Sequence, residues 1–350
     1  MLVSTITAAD QLTSQAPLLV RLREQSVDRP CVLYESWHAA GENEMVLFLK
    51  PEVMILPEPC LAEVLDLTSE KARAFGLAVE SIVYLGAEYL EKYAVIDEHY
   101  GVINRLARSA RANLSEEARN RFKEVYGLEV DQADIVGGFE ILERSPEFDA
   151  ELLDRLWSAE RSEKLAPGTY CRRVRLGEEE LFLVNGFHPF QLLHFTAPGR
   201  AILVMVVRGD TSWRVARTSL VGATRPQDAQ AGSLRALLLS RMAELGLAEI
   251  SQAFNGVHLS AGPVEAVAEL RRFVSDLSAQ QGVLPLSAFS FGQRLIESFG
   301  EETAEFLVSN PTLEHGGRRA SVFDWTEELD SGPALERLCS VASLKVPFER

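Results

Sequence analysis

Short unbroken apolar runs alternate along this chain with stretches of helical spacing. The longest run, Ala201 to Val207, has no polar interruption and predicts a central strand buried on both faces. Met45 to Leu49 is a second such run, ended by Lys50-Pro51. A lysine at that place points into a cleft or snorkels to solvent. Leu61 to Phe75 repeats apolar residues at helical spacing, with Leu61, Val64, Leu65, Ala72 and Phe75 on one face and Gly76 placed to cap it. Leu77 to Leu85 reads as a strand, and helical spacing resumes from Glu88 to Leu106. Strand, helix, strand, helix opens an α+β sandwich.

The remaining pattern is less regular. Leu18 to Arg23 suggests a helix and Cys31 to Tyr34 a strand. Ser115 before Glu116-Glu117 marks a helix start whose acids suit the dipole. Phe148 to Leu165 reads as one helix, and Tyr170–Val174 with Glu180–Val184 as a β-hairpin. After Ala201 to Val207 come a short helical stretch, Trp213 to Leu220, and a Gly- and Pro-bearing loop, Gly222 to Gly232. That loop is long for a plain connector. Leu234 to Leu247 predicts a helix, Asn255 to Ser260 is a short apolar run interrupted by His258 that reads as a buried strand, and Pro263 to Leu277 predicts another helix. Leu295 to Val308 is helical in spacing, Asn310 to Ala320 reads as a mobile loop, and Ala334 to Val341 as a final helix.

Composition narrows the function classes. The net charge of −16 opposes sequence-independent binding to nucleic acid or anionic membranes, while leaving room for a locally positive pocket. No apolar run approaches the ~20 residues of a membrane span. The opening Met1-Leu2-Val3-Ser4-Thr5 has no secretory pattern. The four cysteines, Cys31, Cys60, Cys171 and Cys339, match no metal-ligand spacing and suit free thiols in a reducing cytoplasm. His258 alone fits a core role better than a chemical one, because most lone histidines are structural.

Three stretches change that reading when taken together. Gly222 to Arg235 reads Gly-x-Thr-x-Pro-x-Asp-x-x-x-Gly-Ser-x-Arg without a gap. Asn255-x-x-His258-x-Ser260 follows, and Phe48-Leu49-Lys50-Pro51 precedes both. With His99-Tyr100 and Pro189-Phe190, they resemble the nucleoside diphosphate kinases, in that family's order. The resemblance covers residues 44–100 and 184–280. It implies a ferredoxin-like βαββαβ core split by an insertion at 101–183, with an N-terminal extension, 1–43, and a C-terminal extension, 281–350. Leu259 and Ala261 stand where the family has glycine and aspartate, and Arg217 is one residue out of register with a phosphate-binding arginine.

What the resemblance implies is chemistry. His258 would take the γ-phosphate of ATP and pass it to a nucleoside diphosphate, with Lys50 catalytic beside it and Glu269 orienting the ring. Lys50, Arg217, Thr224, Arg235 and Asn255 would hold the nucleotide, Tyr100 would lie by the phosphates, and Phe190 would stack on the base or pack in the core. Mg²⁺ would be bound through the phosphates, with no direct protein ligand. His99, His188 and His194 read as structural or surface residues. A homo-oligomer acting on nucleotides in the cytoplasm, with no nucleic-acid or membrane partner, is the expectation. Two other readings stay open: the same phosphohistidine chemistry with an unusual nucleotide or phosphorylated metabolite as acceptor, and a catalytically weak nucleotide-binding regulatory or scaffold protein.

Overall fold

A computed structural model describes residues 12–37, 39–280 and 282–342. The opening Met1 to Thr5 and the chain beyond 342 lie outside that range. The strands in chain order are β1 (Cys31–Glu35), β2 (Asn43–Leu49), β3 (Ala78–Gly86), β4 (Ile135–Gly137), β5 (Glu163–Ala166), β6 (Thr169–Leu176), β7 (Glu179–Val184), β8 (Ala201–Gly209), β9 (Val257–Leu259), β10 (Thr312–His315) and β11 (Arg318–Ser321). The fold is mixed α+β. Its two compact units are residues 1–93 with 198–350, and residues 94–197.

The first unit is built on one antiparallel sheet in the order β1-β3-β8-β2-β9. β2 and β8 are central because their residues are apolar on both faces, and every residue of β2 is buried. Met45, Leu47 and Leu49 share a core with Leu61, Val64, Leu65 and Ala72 of the helix Glu58–Ala74. That helix is followed by Gly76 in the left-handed conformation (φ 66°), the backbone a helix C-terminus favours. On the opposite face Phe48 meets Phe273 of the helix Pro263–Val274 edge-on, at 5.4 Å between rings. The N-terminal extension is not a separate appendage: β1 completes one edge of this sheet.

The second unit has its own four-stranded sheet, β4-β7-β6-β5, in which only β4 and β7 run parallel. One face packs on Leu106, Ala110, Ala118 and Phe122, the other on Ile141, Leu153 and Trp157. The unit is wider than the expected insertion of 101–183. Asn185 explains why: its side chain donates to Ile103 O (3.2 Å) and Gly168 O (2.9 Å) and accepts from Tyr170 N (3.0 Å). The chain after β7 is therefore tied to the start of this unit rather than returned to the first sheet.

Three expected elements are corrected. Phe148 to Leu165 is a shorter helix, Ala150–Ser158, followed by β5. Arg172 donates to the carbonyls of Leu156 and Trp157 and closes that helix end. The helix after Ser233 ends at Ser240, well before Leu247. Asn310 to Ala320 forms the β10–β11 hairpin, turned by Gly316 and Gly317, both at positive φ. Among the described residues no helix is long and apolar enough to cross a membrane.

Candidate active site around His258

Strand β9 is only three residues long, and its flanks fix it. Gly256 sits at φ 78°, where a Cβ would lie 2.4 Å from Leu238 Cδ1. Its N–H donates to Glu52 Oε1 (2.7 Å), and its carbonyl accepts from Lys50 N (2.9 Å). Beyond the strand, Ser260 exchanges backbone and hydroxyl hydrogen bonds with Val46 and is structural. Between these anchors His258 pairs with Phe48 across the sheet, and the two rings stack at 4.4 Å and 20°.

The imidazole is 18% exposed, and its Nε2 lies 2.7 Å from Oε1 of Glu269, which is almost wholly buried. Glu269 projects from the Pro263–Val274 helix among its buried apolar positions. Burial pushes the Glu269 carboxyl well above the usual carboxylate range. Burial first, and then the cations Lys50, Arg235, Arg217 and Arg272, hold His258 well below its ordinary value. The ring is therefore neutral near pH 7, the form in which an imidazole nitrogen is a nucleophile.

Lys50 caps the short helix Pro51–Met54 and is 7% exposed. Among the described residues its ammonium makes no side-chain hydrogen bond or ion pair. Burial brings it down to about 8, with Glu52 opposing and Arg235 adding to the shift. A buried cation without a fixed counter-ion is costly, and such groups cluster at functional sites.

The Gly222 to Gly232 loop is fastened to the same place. Arg235 donates through Nη1 to Gly222 O (2.7 Å) and through Nη2 to Val257 O (2.7 Å), bridging the loop to β9. Asn255 Nδ2 donates to Thr224 O (3.1 Å), while its Oδ1 is buried with no hydrogen-bond partner among the described residues. Thr224 itself is exposed. Arg217 is already engaged, at 2.6 Å from Glu327 and 3.5 Å from Glu328.

The structure thus brings Lys50, His258, Glu269, Asn255 and Arg235 to one end of the first sheet, with Arg217 in electrostatic reach of His258. Tyr100 and Phe190 belong to the second unit. There Tyr100 lies 6.1 Å from the His188 ring and 6.2 Å from Phe195, and Phe190 is on the half-buried side of the helix His188–Thr196.

Sequence reasoning passed over three contributors. Phe48 supplies the ring under His258; its signal was its place before Leu49-Lys50. Glu265, one turn ahead of Glu269, accepts from Ala261 N and is pushed up to about 8 by burial and then by Glu269. Arg272, one turn beyond Glu269, adds positive charge near both groups. The i, i+4 and i, i+3 spacings of the two were visible in the chain. The sequence matches no protein-family model and no curated protein.

Proposed function

We propose that the protein is a phosphotransferase that carries the γ-phosphate of ATP on His258 to a nucleoside diphosphate. The observation that carries this reading is the stacked imidazole of His258, bonded to Glu269 through Nε2, where burial and four nearby cations favour its neutral form. With Nε2 carrying the ring proton and donating to Glu269 Oε1, Nδ1 keeps the free lone pair and is the nitrogen that would attack phosphorus. The bond from Nδ1 to the γ-phosphorus forms as the bond to the bridging oxygen breaks, and ADP leaves. The reverse attack by a nucleoside diphosphate would restore the imidazole. Lys50, Arg235 and Arg217 would offset charge on the transferred group. Thr224 and Asn255 would face the nucleotide from the loop.

The sheet supports the same reading. Taking β2, β3, β8 and β9 as the four core strands, their order β3-β8-β2-β9, all antiparallel, is that of a ferredoxin-like βαββαβ sandwich. The residues present also suit Mg²⁺ held through phosphates. The carboxyls beside His258 favour their protonated forms, which makes them poor direct ligands for a hard dication. When bound, Mg²⁺ would neutralise phosphate charge.

The test is phosphoprotein formation. Incubation with γ-labelled ATP and Mg²⁺ should give an acid-labile, alkali-stable label, absent from His258→Asn and discharged by nucleoside diphosphates. Absence of label at every pH, with ATP bound, sinks the reading. Label surviving in His258→Asn sinks the site.

A further inference from the structure

Arg217, a proposed phosphate-binding arginine, is already held by carboxylates. Its Nη1 is 2.6 Å from Glu327 and 3.5 Å from Glu328, while Glu328 also lies 3.4 Å from Arg214 Nε. Both acids belong to a short crossing that starts after the helix Val322–Thr326. The crossing is pinned at its far end, where Asp330 Oδ1 accepts from Trp213 N (2.8 Å) and Asn43 Nδ2 (3.2 Å). In its middle, Glu328 N donates to Ala261 O (2.8 Å), three residues beyond His258. Glu328 adopts φ 57°, a conformation costly for a non-glycine residue. Glu327 also helps to raise the Glu265 carboxyl, so its charge is felt inside the site.

We propose that residues 326–330 form an autoinhibitory strap, in which Glu327 and Glu328 occupy Arg217 until an anionic phosphate ligand displaces them. The strap rests on the phosphotransferase reading for the identity of that ligand. Its physics is a competition between anions. Arg217 is 26% exposed and Glu327 47%, so their ion pair is weak and salt-screened. A phosphate offers a guanidinium shorter, bidentate, charge-assisted bonds. While the carboxylates stay, they also repel the incoming polyanion. Release frees Arg217 and relaxes the left-handed backbone at Glu328.

Equilibrium dialysis with labelled ATP and Mg²⁺ measures this without requiring turnover. Glu327→Gln/Glu328→Gln should bind about three- to tenfold more tightly than the wild type. Arg217→Ala should bind more weakly, and the double acid change should have no further effect in that background. Hydrogen exchange gives an independent readout: ATP should speed exchange of the Glu328 amide, which loses its bond to Ala261 O. Unchanged affinity in the double variant, with the wild type binding, overturns the strap and leaves the His258 reading standing. Slower exchange at Glu328 on adding ATP also overturns it. No binding by any variant, the double acid change included, overturns both.

Discussion

The two ends of strand β2 treat buried charge in opposite ways. At the start, Arg208 reaches Glu44 (2.6 Å) and Glu80 (2.9 Å), both almost wholly buried. The other oxygen of Glu44 accepts from the backbone and hydroxyl of Ser290, and that of Glu80 from Ala39 N. Every carboxylate oxygen there has a donor. At the other end, among the described residues, the buried Lys50 ammonium makes no ion pair, with Glu52 acting on it only through space, and Asn255 Oδ1 is buried without a donor. A network that only holds the fold closes on itself. A site that must receive an anion keeps positive charge and hydrogen-bonding capacity uncommitted, at a cost in stability.

The largest expected effect breaks the closed end. Arg208→Met would leave Glu44 and Glu80 buried side by side, where Glu80 already disfavours ionisation of Glu44. The expected loss is ~3–5 kcal/mol of unfolding free energy, read by urea denaturation. A loss under ~1 kcal/mol would mean that the network is not what holds this end. Lys50→Met, at the open end, should leave stability unchanged or raised, because a desolvated charge disappears and no ion pair is broken. The rate of phosphoprotein formation should fall ~10²–10³-fold, equivalent to ~3–4 kcal/mol of transition-state stabilisation. If Lys50→Met destabilises the protein as much as Arg208→Met, the contrast between the ends is lost.

Much of this contrast was legible in the chain, but not its cause. The apolar runs Met45 to Leu49 in β2 and Ala201 to Val207 in β8 are unbroken, and β3 is interrupted only by Glu80-Ser81, so these strands are plain. Lys50, His258 and Glu269 stand at spacings that a resemblance could pick out, and the structure brings them to one place. The ion pairs could not be read. Arg208 meets Glu44 from 164 residues away, and Arg217 meets Glu327 from 110. No local period encodes such pairs. The β10–β11 hairpin was missed because its strands are short and polar, and the two glycines that turn it look the same in a loop. Tyr100 and Phe190 followed motif order, while packing assigned them to the second unit.

A smaller effect sharpens the open end. Asn255→Ala removes the Nδ2 bonds to Thr224 O and Gln252 O and the unpartnered Oδ1 together. The two lost bonds destabilise, while removal of the orphaned oxygen offsets part of that. The net loss should be ~1–2 kcal/mol in thermal or urea unfolding, with weaker ATP binding. Stability reduced with ATP affinity intact would make Asn255 a loop anchor only.

The pH dependence of stability separates the groups by sign. Glu265 is raised from 4.5 to about 8, and Glu269 shifts in the same direction, each chiefly by burial. Between those limits the folded protein keeps protons that the unfolded chain has lost. Stability from these two groups therefore falls as pH rises, by at most ~1.4 kcal/mol per pH unit for each. Lys50 acts later and in the opposite direction. Its folded value is about 8 against 10.5 unfolded, so above pH 8 the folded state has shed a proton that the unfolded state retains, and stability rises. Glu44 is raised by burial as well, so the wild-type curve alone does not assign the slope. The difference curves do. Glu269→Gln should make the fall between pH 4.5 and about 8 shallower, with the share of Glu265 remaining, and leave the rise above it, while Lys50→Met should remove the rise and leave the fall. Parallel curves for the wild type and Glu269→Gln would place the titrating carboxyl elsewhere, and with it the reason for a neutral acid beside His258.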